Sequence, residues 1–366
     1  MGTPLGPVKI NIGDKVKDQF VIKKKIGEGA CGQVYLVHVV NANGKLSGRA
    51  AMKVEPLMKC KEDEILKMEI FVLKKIQNSR HVCRCLASGK TDSYTYVVMS
   101  LLGKELSEIR RRLPNRKISL PSTLRISIQV VRALQDLHEA GFVHRDVKPS
   151  NLAMGLYNTQ VVYLFDFGLA RQILIPDNTG KLKLREPRNK VMFRGTVRYC
   201  SLNVHQYKEQ GRHDDLYGAL FSMIECLTAT LPWKGMVRKE AAKVKENTTD
   251  AVLCKGCPPS FLEMAKTLRK LTYHDVPPYK NYMEKLKQDL PHKLKMTDPY
   301  EWNKPGEKAS EGDAAAVKSD RAEADKDGNK DNNTVNEIDE SVVTEERNTS
   351  TNTEEDFAKE DTLEGL

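Results

Sequence analysis

The sequence contains no uninterrupted apolar stretch that approaches the roughly 20 residues of a membrane-spanning helix. Its first 13 residues also lack the apolar run of a secretory signal peptide. A myristoylation signal would need Ser or Thr at position 6, where Gly6 stands. We therefore expect a soluble intracellular protein, located in the cytoplasm or also in the nucleus, without attachment to a membrane.

Cysteines are few and irregularly spaced. The eight of them lack the dense, regular pattern of a disulfide scaffold, which suits a reducing compartment. Cys254 and Cys257 form a C-x-x-C pair, but a structural zinc site needs four ligands and no second pair with suitable spacing follows. We interpret these two residues as loop thiols.

Acidic residues are scarce in most of the chain and concentrated at its end. Residues 304–366 carry 19 acidic and 8 basic side chains, a balance of −11, whereas residues 1–303 carry 30 acidic and 51 basic ones, a balance of +21. The end segment has no apolar periodicity, so it cannot bury enough surface to offset its chain entropy. We predict an N-terminal extension at residues 1–19, a folded domain at residues 20–303 and a disordered acidic tail at residues 304–366.

The first hundred residues have patterns that are typical of strands, at residues 20–26, 33–40, 49–54 and 94–99. One helix interrupts them at residues 62–77, where four apolar residues repeat at helical spacing: Ile65, Met68, Val72 and Ile76. At about 100° per residue Glu69 falls inside this apolar stripe, whereas Glu64 points away from it. Because a carboxylate in an apolar surface is costly unless a cation meets it, Glu69 needs a partner.

The chain after Ser100 is predicted to be mainly helical. Ser122 or Thr123 can cap a helix that ends before Gly141. Residues 216–227 are apolar nearly all round, which indicates a buried central helix. The sequence therefore predicts the α+β class, with a small β-rich lobe followed by a larger helical lobe.

A glycine-rich motif lies between the first two predicted strands: Gly27-Glu28-Gly29-Ala30-Cys31-Gly32-Gln33-Val34. Alone it is equally compatible with a structural hairpin, but the strand context favours a loop whose backbone N–H groups cover phosphates. Lys53 lies in the next strand among apolar neighbours, and pairing it with Glu69 gives each its counter-charge. The ammonium of Lys53 would then orient the phosphates of ATP.

The segment that decides the chemistry is His144-Arg145-Asp146-Val147-Lys148-Pro149-Ser150-Asn151, which Asp166-Phe167-Gly168 follows. Phosphoryl transfer needs an aligned hydroxyl, a carboxylate that receives its proton and cations that spread the phosphate charge. Asp146 is the candidate proton acceptor, and Lys148 can reach the transferred phosphate. Asn151 and Asp166 offer the hard oxygen ligands that Mg²⁺ prefers.

From about Val21 to Trp302 these motifs and their order resemble the eukaryotic protein kinases. Further segments resemble the casein kinase 1 group and, within it, the tau-tubulin kinase branch: Lys67-Met68-Glu69, Leu169-Ala170-Arg171-Gln172, Phe193-Arg194-Gly195-Thr196-Val197-Arg198-Tyr199, Gly211-Arg212-His213-Asp214-Asp215-Leu216 and Asp298-Pro299-Tyr300-Glu301-Trp302. Most kinases end the activation segment in A-P-E, whereas this chain has Ser201-Leu202-Asn203 there, as the casein kinase 1 group does.

The resemblance implies the bilobed protein kinase fold, ATP and Mg²⁺ as cofactors, and transfer to Ser or Thr. It implies nucleotide contacts from the following residues: Ile26, Gly27, Glu28, Gly29, Gly32, Val34, Lys53, Met99 and Leu101. Met99 would guard the back of the adenine pocket, residues 100–103 would form the hinge, and Asp215 would brace the catalytic loop.

Residues 181–198 contain seven basic side chains and one acidic one, Glu186. They form either a solvated loop or a groove that prefers acidic or phosphorylated protein substrates, since guanidinium groups bind phosphate bidentately. Arg185, Arg188 and Arg194 are the candidates for this contact, and residues 110–112 and 116–117 would extend the basic field. By resemblance the substrates include cytoskeletal proteins.

The alternative function is that of a pseudokinase, which keeps the fold as a scaffold that binds ATP and partner proteins. Such a protein would lack the lysine, the base or a magnesium ligand, and this sequence lacks none of them. Because no nucleic-acid-binding module is recognised, the basic charge indicates acidic protein partners instead. We predict a monomeric, ATP-dependent serine/threonine protein kinase.

Overall fold

The computed structural model describes residues 3–29, 32–60 and 64–303. The acidic tail predicted at residues 304–366 and the tip of the glycine-rich motif, Ala30 and Cys31, lie outside the described residues. The described chain folds into a lobe built on one sheet and a larger helical lobe, so the predicted two-lobed α+β architecture is confirmed. No helix within these ranges is long and apolar enough to cross a membrane.

The smaller lobe is an antiparallel sheet with the strand order β1-β2-β3-β4-β6-β5. Its strands are β1 Lys15–Val16, β2 Phe20–Gly29, β3 Gly32–Val40, β4 Leu46–Pro56, β5 Cys85–Lys90 and β6 Tyr94–Ser100. Alternation along the strands buries Val37, Met52 and Val98 completely on one face. Lys53 follows Met52 and therefore leaves β4 on the opposite face.

Helix α1, Ile65–Lys75, packs on that opposite face and turns Leu66 and Glu69 inward. The inward position predicted for Glu69 is therefore confirmed. The prediction that Glu64 points away was wrong, because Glu64 is only 7% exposed and pairs with Lys67 at 2.9 Å. Since α1 begins at Ile65, the helical rotation behind that prediction does not extend to Glu64.

The larger lobe contains the other α-helices of the described residues: α2 Leu106–Arg112, α3 Leu120–Glu139, α4 Leu202–His205, α5 Arg212–Thr228, α6 Arg238–Asn247, α7 Asp250–Leu253, α8 Pro259–Leu268 and α9 Tyr279–Gln288. Short strands accompany them: β7 Leu102–Glu105, β8 Phe142–Val143, β9 Leu152–Gly155, β10 Val162–Leu164, β11 Arg171–Gln172, β12 Leu174–Pro176 and β13 Leu182–Leu184. Helix α5 is buried along most of its length, which confirms the predicted central helix.

Helix α3 begins earlier than predicted. Its N-cap residue is Ser119, and Ser122 and Thr123, the predicted caps, lie buried inside the helix. Pro121 fits in the first turn because an N–H there has no intrahelical acceptor. As predicted, the helix ends before Gly141, which adopts a left-handed φ of +93°.

The last described segment folds back onto the start of α3. Glu301 accepts hydrogen bonds from the backbone N–H of Ser119 at 2.8 Å and from the hydroxyl of Ser122. The guanidinium of Arg125, which is 2% exposed, donates to carbonyl oxygens of the segment and lies 4.1 Å from the ring centroid of Tyr300. Glu301 thus supplies an acceptor that the N-terminus of α3 lacks.

Candidate active site

The glycine-rich motif forms the hairpin between β2 and β3, with Gly29 opposite Gly32. Gly32 has a φ of +116°, and a Cβ atom there would lie 2.0 Å from the carbonyl oxygen of Val54. This position requires glycine because the hairpin approaches β4 beside Lys53. The other residues predicted to contact the nucleotide here, residues 26–29 and Val34, lie at the adjoining ends of the two strands.

Lys53 on β4 and Glu69 on α1 form the ion pair expected from the sequence, with Nζ and Oε2 2.5 Å apart. The same ammonium lies 3.0 Å from Oδ1 of Asp166. Burial disfavours the charged form of Lys53, but the two carboxylates outweigh burial and raise its pKa above the ordinary value. Burial likewise opposes ionisation of Asp166, but Lys53 outweighs it and lowers the pKa of this carboxyl. One cation thus joins the sheet, the helix and the segment that begins at Asp166.

Buried Asp215, near the start of α5, holds the catalytic loop at residues 144–151. Its carboxylate accepts the backbone N–H of His144 at 2.6 Å and that of Arg145 at 2.8 Å. Nε2 of His138 lies 2.8 Å from the same carboxylate and carries the hydrogen, since an ionised carboxylate can only accept. Nδ1 then accepts from the hydroxyl of Tyr279 at 2.7 Å. Burial opposes ionisation of Asp215, but the bond from His138 and the other donors lower its pKa.

Asp146 lies between two side chains that also contact each other. Its Oδ2 is 2.6 Å from Nζ of Lys148, and its Oδ1 accepts the hydroxyl of Thr196 at 2.7 Å. Nζ of Lys148 donates to that hydroxyl at 3.1 Å. Sequence reasoning gave Thr196 no role, although a glycine beside it, Gly195, is typical of a close approach between backbone segments. A Cβ atom on Gly195 would lie 2.6 Å from the carbonyl oxygen of Arg145, so the two segments must touch there.

Asn151 and Asp166 offer the oxygen atoms proposed for Mg²⁺. Asn151 donates its amide nitrogen to the backbone oxygen of Asp146 at 2.9 Å, which leaves its side-chain oxygen as the ligand atom. Within the described ranges no group of three His, Cys, Asp or Glu side chains could form a metal cage. One carboxylate and one amide oxygen nevertheless fit Mg²⁺, which usually keeps water and substrate phosphate among its ligands.

Met99 and Leu101 lie at the connection between the lobes. Met99 is buried near the end of β6, opposite Ala51 of β4. Leu101 is partly buried and joins β6 to β7. Gly103 follows where the chain passes β9, since a Cβ atom there would lie 2.9 Å from the carbonyl oxygen of Met154.

Lys245 on α6 anchors the end of the activation segment, a role that sequence reasoning missed. Its buried ammonium donates to the carbonyl oxygens of Val197 at 2.7 Å and Cys200 at 2.5 Å. Burial lowers the pKa of Lys245 to about 8. Ser201 adds a hydrogen bond to buried Asp214 at 2.5 Å. The sequence gave little signal, because Lys245 is one of several lysines in a polar helix.

Two of the arginines expected to face substrates are paired with buried carboxylates. Arg188 makes a two-pronged contact with Glu209, at 2.7 and 3.2 Å. Arg110 is 9% exposed and lies 3.5 Å from buried Glu225. Because Arg110 is buried with its partner, its assignment to the substrate field is corrected. Arg188 is 32% exposed, and its contact with a substrate stays a prediction. Arg194 makes no ion pair or side-chain hydrogen bond with other described residues.

Residues 20–291 match the family model described as the protein kinase domain. The chain belongs to the protein kinase family. The kinase is 38% identical over 297 residues to a protein named as a serine/threonine-protein kinase in Dictyostelium discoideum, an alignment that covers 79% of this chain and 57% of that relative.

Two relatives from Caenorhabditis elegans match more of their own length. One is the serine/threonine-protein kinase spe-6, which is 31% identical over 296 residues, or 77% of this kinase and 74% of the relative. The other carries the name casein kinase I and is 31% identical over 300 residues, or 79% of this kinase and 85% of the relative. The kinase domain is of the ATP-dependent serine/threonine type.

Proposed function

We propose that this kinase transfers the γ-phosphate of ATP to Ser or Thr residues of proteins and favours sites flanked by acidic or phosphorylated residues. The observation that carries the proposal is the contact of Asp146 with Lys148 and Thr196. A base, a cation and the activation segment meet at this point, which is the arrangement that transfer to a hydroxyl requires.

Each predicted catalytic residue has a role in this proposal. Asp146 accepts the proton of the substrate hydroxyl, and Lys148 stabilises the charge of the transferred phosphate. Lys53, held by Glu69, orients the phosphates of ATP. When bound by Asn151 and Asp166, Mg²⁺ supplies further positive charge beside the phosphate oxygens.

The preference for acidic sites rests on cations of the activation segment. Lys181, Lys183 and Lys190 are exposed. Arg194 directly precedes Gly195, which touches the catalytic loop. Such charges attract anionic peptides most strongly at low ionic strength.

Two peptides that differ only beside the acceptor, one with Glu or phosphoserine and one with Gln or Ser, test this preference. We expect a higher kcat/KM for the anionic peptide at low salt, and Arg194→Gln should reduce the ratio mainly by raising KM. Lys287→Gln removes an exposed charge on α9 and is the control. Equal turnover of both peptides would exclude the preference but not the transfer activity. If wild type transfers no more phosphate than Asp146→Asn, the pseudokinase scaffold is favoured.

We also propose that the kinase belongs to a tau-tubulin kinase-like branch of the casein kinase 1 group. Its substrates would then include cytoskeletal proteins, and it would be located in the cytoplasm or also in the nucleus. The casein kinase I relative and the segment Ser201-Leu202-Asn203 support this placement. Parallel assays on tubulin, its associated proteins and unrelated acidic proteins test it, and equal rates on all of them would count against it.

A further inference from the structure

Glu55 is a buried carboxylate that the roles above do not use. It lies two residues after Lys53 on β4 and is 1% exposed. Because side chains alternate along a strand, Lys53 and Glu55 leave β4 on the same face, toward α1. A carboxylate buried this completely requires strong donors.

Both carboxylate oxygens of Glu55 accept hydrogen bonds from the start of α1. Oε1 binds the backbone N–H of Ile65 and Oε2 that of Leu66, each at 3.0 Å. These N–H groups have no acceptor within the helix. The helix has little capping of its own, since Glu64 at the N-cap position makes no side-chain cap bond and the first turn contains no acidic residue. Glu55 therefore supplies the hydrogen-bond acceptors that the N-terminus of α1 lacks.

The two contacts between β4 and α1 are separated by a similar distance along the strand and along the helix. Two strand residues advance about 6.7 Å, and the four residues from Ile65 to Glu69 advance about 6 Å along the helix. Lys53 and Glu55 can therefore hold the helix at two points about one turn apart. With the Lys53–Glu69 ion pair as its one contact to β4, α1 could rotate about that point.

The same end of α1 touches the segment that carries Asp166. A Cβ atom on Gly168 would lie 2.5 Å from Cγ2 of Ile65, so Ile65 packs directly on the backbone of Gly168. Displacement of the start of α1 would thus disturb both carboxylates that meet Lys53, namely Glu69 and Asp166.

We propose that Glu55 is a positioning residue for phosphoryl transfer. By capping α1 from β4, it keeps Glu69 on Lys53 and Ile65 on Gly168. The inference rests on the transfer activity proposed above, but the cap itself can be measured without that activity.

The first test compares Glu55→Ala, which removes both acceptors, with Glu55→Gln, which keeps one oxygen and most of the shape. We expect kcat to fall about five- to tenfold in Glu55→Ala and less in Glu55→Gln. Amide hydrogen exchange at Ile65 and Leu66 should accelerate, while exchange in α5 stays unchanged. Glu64→Gln, which alters the adjacent buried acid that does not cap α1, should behave like wild type. Glu55→Gln carries the test if Glu55→Ala does not fold.

The second test restores a cap within the helix itself. Glu64 has φ −79° and ψ 92°, the extended conformation that a serine N-cap adopts. When it is added to Glu55→Ala, the substitution Glu64→Ser should recover a measurable part of the lost kcat. It should also slow amide exchange at Ile65 and Leu66 relative to Glu55→Ala alone. Wild-type kcat and exchange in the Glu55 variants, or no recovery by Glu64→Ser, would overturn the proposal. If wild type phosphorylates nothing while the exchange responds as expected, the proposed function fails and the cap stands.

Discussion

The hydroxyl of Thr196 donates to Oδ1 of Asp146 at 2.7 Å, so the activation segment closes onto the carboxylate proposed as the base. Nζ of Lys148 binds the other oxygen of that carboxylate at 2.6 Å. Asp146 is therefore fixed in orientation before a substrate arrives, and little rotational freedom is left to lose during transfer.

The substitutions Asp146→Asn and Lys53→Met should each reduce kcat by about 10²- to 10⁴-fold, because a positioned base and an oriented phosphate contribute on this scale. Transfer from labelled ATP measures the loss, and circular dichroism checks that the fold is kept. Lys287→Met, an exposed change on α9, is the control. Full activity of purified Asp146→Asn would disprove its role as the base.

Glu69→Gln should impair transfer far more than Glu64→Gln. Glu69 meets Lys53 at 2.5 Å, whereas Glu64 meets Lys67 at the edge of the helix. Steady-state assays of both variants at saturating ATP make the comparison. Equal losses would mean that the Lys53 pair has no special part in catalysis.

The contrast among three glutamates shows what the sequence can reveal. Glu69 was identifiable because helical periodicity reports which side chains share a face, and a buried carboxylate demands a cation. Glu64 was misjudged because its orientation depends on where the helix begins. The role of Glu55 was not predictable, because no sequence pattern indicates that the N-terminus of α1 packs against a strand residue ten positions earlier.

Charge counts have a similar limit. The basic stretch around Arg188 was visible in the sequence, but its partner Glu209 comes 21 residues later and is brought close only by the fold. The ion pair between Lys53 and Glu69 could be predicted because both residues lie in regular elements whose faces follow from the sequence. Arg188 lies in an irregular segment, where no periodicity reports direction.

The stability of the kinase should depend on pH through Glu55. Burial raises the pKa of Glu55 from 4.5 to about 7, with Glu64 adding to the rise and the helix N–H groups and Lys53 opposing it. The folded state thus keeps a proton that the unfolded state releases, so this contribution is complete below pH 4.5 and is lost as the pH rises through 7.

Between those values the free energy of unfolding of wild type should fall relative to Glu55→Gln, by up to about 1.4 kcal/mol per pH unit. Urea unfolding of both proteins at several pH values from 5 to 8 measures the difference. A difference that does not change with pH would contradict the raised pKa.

Lys245→Met should weaken peptide binding and lower Tm. The change leaves the carbonyl oxygens of Val197 and Cys200 buried without their donor, at a cost of about 1–3 kcal/mol for each. Because these residues end the activation segment, KM for the peptide should rise while KM for ATP stays the same. Lys243→Met, on the exposed side of α6, is the matched change. A uniform rise of both KM values would show a general loss of structure instead.

Deleting residues 304–366 should raise kcat/KM for a peptide at low salt, and the gain should shrink at high salt. A segment with a balance of −11 tethered to a body with +21 stays at an effective concentration that favours even weak contacts. The truncated chain still contains Tyr300 and Glu301, which pack against the start of α3, so their contribution to stability is retained. Identical rates with and without the tail at low salt would exclude autoinhibition.

The contacts of Glu301 and Arg125 bear on where the folded domain ends in the sequence. The stretch shared with the family model ends at residue 291, yet Arg125 donates to carbonyl oxygens beyond it. A chain that stopped at residue 291 would lose these acceptors, the Tyr300 ring over Arg125 and the Glu301 contacts at the start of α3. The folded unit therefore extends past the end of the family-model match, and truncation at residue 291 should lower Tm.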